Sequence, residues 1–200
     1  MSIKAVIFDV GGVLMRTENR EPRATLGLRF GKTYEEMDKI IFGKSGYHAS
    51  LGEVTAHEHW QSVMRVLDLP DSEIDNIYTQ FFGGDEVDYA LIDYIRSLRP
   101  RYTTAILSNA WDDLRQILVE KWQIDDAFDE IFISAEMGIA KPDPKIYKMV
   151  IEKLGIAPEE MVFVDDLSRN IEAARKLGMH AIHFQKRDEV IAELQKLLGK

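Results

Sequence analysis

The sequence predicts an α/β fold: a doubly wound parallel sheet with a helical insert. Three observations predict it. Short apolar segments rich in β-branched and aromatic residues recur along the chain. Helical patterns stand between them. The stretch from residue 16 to residue 84 has helical spacing and lacks clear strands. Strand and helix in alternation build a parallel sheet with helices on both faces.

The clearest strands are residues 3–8, 103–107 and 161–164, each followed by a small polar or acidic residue. Residues 130–134 and 180–183 are weaker candidates. Helical spacing marks residues 88–99, where Leu91, Ile92, Ile95 and Leu98 share a face, and residues 113–122, 144–154, 170–177 and 188–198. Gly155 and Gly178 follow Leu154 and Leu177 as C-caps. Within the insert, residues 34–42, 55–67 and 72–82 read as helices. The expected organisation is a Rossmann-like core from residues 1–15 and 85–200, with an α-helical cap from residues 16–84 over the end of the first strand.

Composition narrows the function. A chain of 200 residues suits one domain, or one with a smaller insert. A hydrophobic share of 46% argues against disorder. A net charge of -9 provides no global positive field, so neither nucleic acid nor an anionic membrane is an expected partner. The absence of cysteine excludes disulfides, thiolate catalysis and cysteine-based metal sites. No apolar run is long enough to span a bilayer. The run at residues 5–8 is too short for a signal-peptide core and is cut by Asp9. A cytoplasmic location is expected.

In doubly wound sheets, ligands bind beyond the carboxyl ends of the strands. This brings Asp9, Ser108 and the Asp165-Asp166 pair towards one cleft. Asp9 stands at a strand end before Gly11 and Gly12, which let the backbone approach a ligand. A carboxylate held this way can attack phosphorus or carbon and form a covalent intermediate; the segment also reads as a plain acidic turn. Ser108 and Asn109 can donate to phosphate oxygens, or serve as a helix N-cap. Lys141, on a loop stiffened by Pro142 and Pro144, can clamp a phosphoryl group, or be a surface lysine beside a helix start. Asp165 and Asp166 repel each other unless a hard cation such as Mg²⁺ intervenes; the plain alternative is an acidic capping turn.

Taken together, these segments resemble the four motifs of the haloacid dehalogenase-like (HAD) superfamily, in order and each after the matching element. The resemblance covers essentially the whole chain. It is strongest at the runs Ala140-Lys141-Pro142-Asp143-Pro144-Lys145-Ile146-Tyr147 and Phe163-Val164-Asp165-Asp166, with Asn170 to Met179 beyond. The insert resembles that superfamily's small α-helical cap. The resemblance implies a Mg²⁺-dependent phosphatase acting on a small phosphorylated molecule. By similarity, Asp9 is the nucleophile that becomes an aspartyl-phosphate. Ser108, with Asn109 beside it, hydrogen-bonds the phosphoryl group. Lys141 neutralises charge on Asp9 and the phosphoryl oxygens. Asp9, Asp166 and the Gly11 carbonyl ligate Mg²⁺, and Asp165 binds or orients it.

One position departs from the pattern. Phosphatases of the superfamily usually carry a second Asp two residues after the nucleophile as general acid and base. Here that residue is Gly11. Such a group contributes roughly 10²–10⁴-fold, about 3–5 kcal/mol of barrier. A slow phosphatase, a preference for good leaving groups such as acyl or anomeric phosphates, a proton donor from elsewhere, or lost catalysis all fit this departure. Some sugar-phosphate phosphatases of the superfamily resemble this pattern, with Gly at that place. A 2-haloacid dehalogenase is the alternative enzyme, but those typically have Tyr where Gly11 stands and Ser residues in place of the acidic pair. A phosphate-binding module without turnover is the non-enzymatic alternative.

In the insert, Arg16, Arg20 and Arg23 stand as candidates for a charged substrate or as solvated linker arginines. Residues 43–51 read as a loop facing the cleft, with His48 as a candidate proton donor. His57 and His59 are two apart and point to different helix faces, which argues against a metal pair. Trp60 and Trp111 read as packing residues, as do His180 and His183 beside the last strand.

Overall fold

The computed structural model describes residues 2–199. Its main sheet has five parallel strands in the order β5-β4-β1-β6-β7. They are β1 (Ala5–Phe8), β4 (Thr103–Ser108), β5 (Glu130–Ile133), β6 (Met161–Asp165) and β7 (His180–His183). The central strands are buried on both faces, so they read as apolar runs without alternation. Their side chains still alternate between two cores. Val6 and Phe8 of β1 join Ile106, Val162 and Val164 on one face. Ala5 and Ile7 join Ala105, Leu107 and Phe163 on the other.

Helices cover both faces. The first is packed by α6 (Tyr89–Leu98), through Leu91, Ile92, Ile95 and Leu98, and by α11 (Arg187–Leu197), through Val190 and Leu194. The second is packed by α9 (Pro144–Leu154) and α10 (Ser168–Lys176). Helix α9 begins on the Asp143 side chain, which accepts from the Lys145 N–H, with Pro144 in the first turn; it ends at Gly155 with φ of 63°. The expected helix at 113–122 forms only one α turn, α7 (Leu114–Gln116), and then widens into a π turn at Ile117–Lys121. A short α8 (Ser134–Met137) follows β5.

The chain between β1 and α6 folds as five helices: α1 (Glu21–Arg29), α2 (Tyr34–Phe42), α3 (Lys44–Ser50), α4 (Ala56–Leu67) and α5 (Ile74–Phe81). They enclose a third apolar cluster, built from Leu26, Met37, Ile41, Trp60, Val63, Met64, Leu67, Ile77 and Phe81. Capping boxes Thr33–Glu36 and Thr55–Glu58 start α2 and α4. Two short strands, β2 (Met15–Thr17) and β3 (Asp85–Val87), pair antiparallel where the chain leaves and re-enters the sheet core.

Three local expectations are corrected. Residues 43–51 are mostly helix α3, not a loop, and His48 on it is bound to Glu53 away from the cleft. His180 and His183 are exposed rather than packed, since the ends of β7 face outward at the sheet edge. Trp60 is buried as expected, and Trp111 packs against the same cluster as expected, but it is half-buried and also lines the cleft, so packing is not its whole role.

Candidate active site

The register of the three central strands assembles the site. Phe8 lies level with Ile106 on one side and Val164 on the other, so Asp9, Ser108 and Asp165 emerge at the same sheet edge. Asp9 is buried, and its Oδ1 accepts the Val10 N–H at 2.7 Å. Lys141 reaches in from the loop before α9. Its Nζ lies 2.9 Å from Asp9 Oδ1 and 2.7 Å from Asp165 Oδ2, with its side chain 1% exposed.

Each member is held by further bonds. Asn109 Nδ2 donates to the Lys141 carbonyl at 2.8 Å, and Asn109 Oδ1 accepts the Lys141 N–H at 2.7 Å. This two-point clamp fixes the backbone that aims the ammonium. Asp165 is fully enclosed: Oδ1 accepts from the Leu167 N–H at 2.8 Å, and both oxygens accept from Asn170 Nδ2 at 3.0 Å. Sequence reasoning gave Asn109 a ligand or N-cap role, not this clamp, and gave Asn170 none; the signal for Asn170 was its place five residues after Asp165.

Asp9, Asp165 and Asp166 each offer a carboxylate oxygen within 4.8 Å of the others. Gly12, with φ of +76°, passes so close to the Asp166 carboxylate that a Cβ there would run into it. Gly11 differs: a Cβ there meets no atom within 4 Å, and its φ is not positive. Burial pushes the Asp9 carboxyl up to about 7, against the pull of Lys141 and with Asp165 adding to the rise. Burial, then the charge of Asp165, also raises Asp166.

Above this edge lies a cleft of about 600 Å³, lined at its floor by Gly11, Gly12, Ser108, Asn109 and Asp166. Asp9 and Lys141 are buried and do not line the cleft; Asp9 precedes Val10, Gly11 and Gly12, which do. Its upper wall comes from α2, α5 and the segments after β4, including Phe42, Tyr78, Phe82, Trp111 and Trp122. The segments after β4 and β5 also tie the two parts together. Trp111 Nε1 donates to the Gly46 carbonyl at 3.0 Å, the Ala56 N–H donates to Asp112 Oδ1 at 2.8 Å, and Ser134 Oγ donates to the Ser50 carbonyl at 2.6 Å.

The arginines of the insert divide. Arg23 is buried and bidentate on Asp85, at 2.9 and 2.7 Å, with a further bond to Asp38. Arg16 pairs with Asp88 and Glu18. Arg20 is exposed over the Tyr34 ring and lines the cleft. His57 is exposed and His59 fully buried, on opposite faces of α4, and burial drives His59 down to about 4.

Known proteins share this architecture. Bifunctional epoxide hydrolase 2 of Sus scrofa is 28% identical over 100% of this chain, which spans only 39% of that protein's length. D-ribitol-5-phosphate phosphatase of Bacteroides thetaiotaomicron is 28% identical over 98% of this chain and 99% of its own. Among solved structures, an aspartate-to-alanine mutant of a HAD family enzyme from Bacteroides thetaiotaomicron, in complex with magnesium and inorganic phosphate, matches with a TM-score of 0.75. It is 26% identical and covers 92% of this chain and 95% of that one. The sequence pattern of the haloacid dehalogenase-like hydrolases matches residues 3–178, and with the five-stranded parallel sheet this establishes that the chain belongs to that family of hydrolases.

Proposed function

We propose that this hydrolase is a Mg²⁺-dependent phosphatase that cleaves a small phosphorylated metabolite, a sugar phosphate, through an aspartyl-phosphate on Asp9. One observation carries the reading. Three carboxylates crowd within 4.8 Å, and one ammonium, Lys141, bridges two of them. When all three are ionised they outnumber the one ammonium by two charges, which a divalent cation would neutralise. Asp9, Asp166 and the Gly11 carbonyl would hold it. The hydrogen bonds that surround Asp165 suit it to orienting Lys141 rather than to direct ligation. When bound, Mg²⁺ would shield the charge of an incoming phosphate and of Asp9.

The residues divide the work. An Asp9 oxygen attacks phosphorus, forming a phosphorus–oxygen bond as the bond to the leaving-group oxygen breaks. Lys141 holds Asp9 in place and balances charge on the phosphoryl oxygens. Ser108 donates to a phosphoryl oxygen, and Asn109 keeps Lys141 aimed. Water then cleaves the aspartyl-phosphate and returns Asp9. The acidic pair speaks against a dehalogenase, which attacks carbon and has no use for a cation there. We assign residues 16–84 as the cap and residues 1–15 and 85–200 as the core. The small-molecule substrate enters between them. The test is phosphate release from a panel of phosphomonoesters, acyl phosphates and sugar phosphates, with Mg²⁺ and with chelator. Release that needs Mg²⁺ is expected, and phosphate release unaffected by chelation would refute the reading.

A further inference from the structure

The cleft is far larger than a phosphate group, and its upper wall has a chemical character of its own. Phe42 is 50% exposed although its neighbours are rings. Its centroid lies 6.1 Å from that of Trp111 with planes 31° apart, and 6.3 Å from Phe82. Tyr78 stacks beside Phe82 at 4.8 Å. Buried Trp60 supports Trp111 edge-on from behind, at 5.9 Å and 86°. The wall is therefore a stiff aromatic surface with an open face, opposite the floor where phosphate would sit.

An aromatic face needs a flat apolar partner to stack on it. A charged group stands at its side. Asp113 lines the same cleft, half-buried. Among the described residues, no ion pair and no hydrogen bond from another side chain holds its carboxylate, and it makes no capping bond to the turn that follows. A carboxylate in that setting accepts hydrogen bonds from hydroxyl groups. Of the cations that line the cleft, Arg23 is occupied by Asp85 and Asp38, Arg16 by Asp88 and Glu18, and Arg20 and Lys121 lie over the rings of Tyr34 and Tyr78.

We propose that the leaving group is a sugar in its ring form, with the C–H face of the ring stacked on Phe42 and Trp111 and a ring hydroxyl donating to Asp113. This inference rests on the phosphatase reading and deepens it. An open-chain polyol has no flat face to offer the wall, so it loses the stacking while its hydroxyls are still desolvated.

The test compares each pyranose phosphate that keeps a free anomeric hydroxyl, such as a hexose 6-phosphate, with the alditol phosphate made by reducing it, with D-ribitol 5-phosphate as a further open-chain ester and acetyl phosphate as a control lacking any sugar. Wild-type kcat/KM is expected to favour the ring form by about tenfold or more. Phe42→Ala removes a half-exposed side chain that is not itself a member of the core clusters, at the loss of its edge contact with Phe81. It is expected to cut the ring preference to about twofold, with acetyl phosphate hydrolysis and inhibition by inorganic phosphate unchanged. Asp113→Asn is expected to raise KM for ring substrates and leave acetyl phosphate alone. Equal use of ring and open-chain esters by the wild type, or a Phe42→Ala loss shared equally by acetyl phosphate, overturns the inference while the phosphatase reading stands. Absence of Mg²⁺-dependent release from every compound overturns both.

Discussion

By the family resemblance, Gly11 takes the place of the general acid, and the structure leaves room for a Cβ there. A Cβ at residue 11 meets no atom within 4 Å, and the backbone is outside the left-handed region. Gly11→Asp should therefore fold without strain and place a carboxyl on the cleft floor. A well-placed general acid is worth about 10²–10⁴-fold. Residue 11 is exposed and the new carboxyl is not oriented by a partner, so the gain falls at or below the lower end of that range. The expected gain is about 10–10²-fold in kcat, or about 1.4–2.7 kcal/mol of barrier. The gain belongs to leaving groups that need a proton. The assay is steady-state phosphate release with Mg²⁺, across alkyl, aryl and acyl phosphates. Alkyl phosphates should gain most and acetyl phosphate should change by less than about twofold. An equal gain for all leaving groups, or none for alkyl phosphates in a variant that still binds Mg²⁺, would refute the reasoning that this chain lacks a proton donor.

Other substitutions read the same site from different sides. Asp9→Asn should abolish Mg²⁺-dependent release with the fold intact; undiminished activity would sink the covalent route. In the metal-free protein the raised Asp9 carboxyl makes the native state hold a proton that the unfolded chain releases, so stability is lost as pH rises from about 4 to about 7. Asp9→Asn, measured in chelator by thermal melting, should therefore melt above the wild type at pH 8 and level with it at pH 4; a constant gap across that range contradicts the burial argument. Lys141→Met leaves two buried carboxylates facing each other, and a loss of about 3–5 kcal/mol is expected in urea titrations at pH 8. Arg23→Met strands the buried carboxylate of Asp85 in the same way, with a similar loss; a cost near zero would show that water reaches that pair.

The site was legible in the sequence because each of its carboxylates and its serine follows an apolar strand, and parallel strands deliver their ends to one edge. What escaped the sequence depends on contacts between distant residues. The pairing of Arg23 with Asp85 joins residues 62 apart, and neither has a local feature that names the other. Helix α1 was missed because Pro22 and Gly27 dilute its helical spacing, and Gly27 is required where its Cα passes the Lys32 carbonyl. Helix α3 was read as a loop because Gly46 weakens it, although that glycine is what lets the helix press against the Ile41 carbonyl. The strands β2 and β3 have three residues each, too few for any alternation to show. The aromatic wall draws on four separate segments, so no single stretch announces it.

The ribbon of β2 and β3 has a consequence for how such a molecule can diversify. Met15 lies opposite Val87, and Thr17 opposite Asp85, so the two ends of the helical segment stand side by side. To the five-stranded sheet, everything between them is topologically a loop on a two-stranded stem. Its replacement by a shorter or longer helical module leaves the strand order and the register of β1 against β4 and β6 untouched. A different helical module carried on the same stem would thus change one wall of the cleft, while Trp111 and Asp113 after β4 and the strand ends that carry Asp9, Ser108 and Asp165 stay in place.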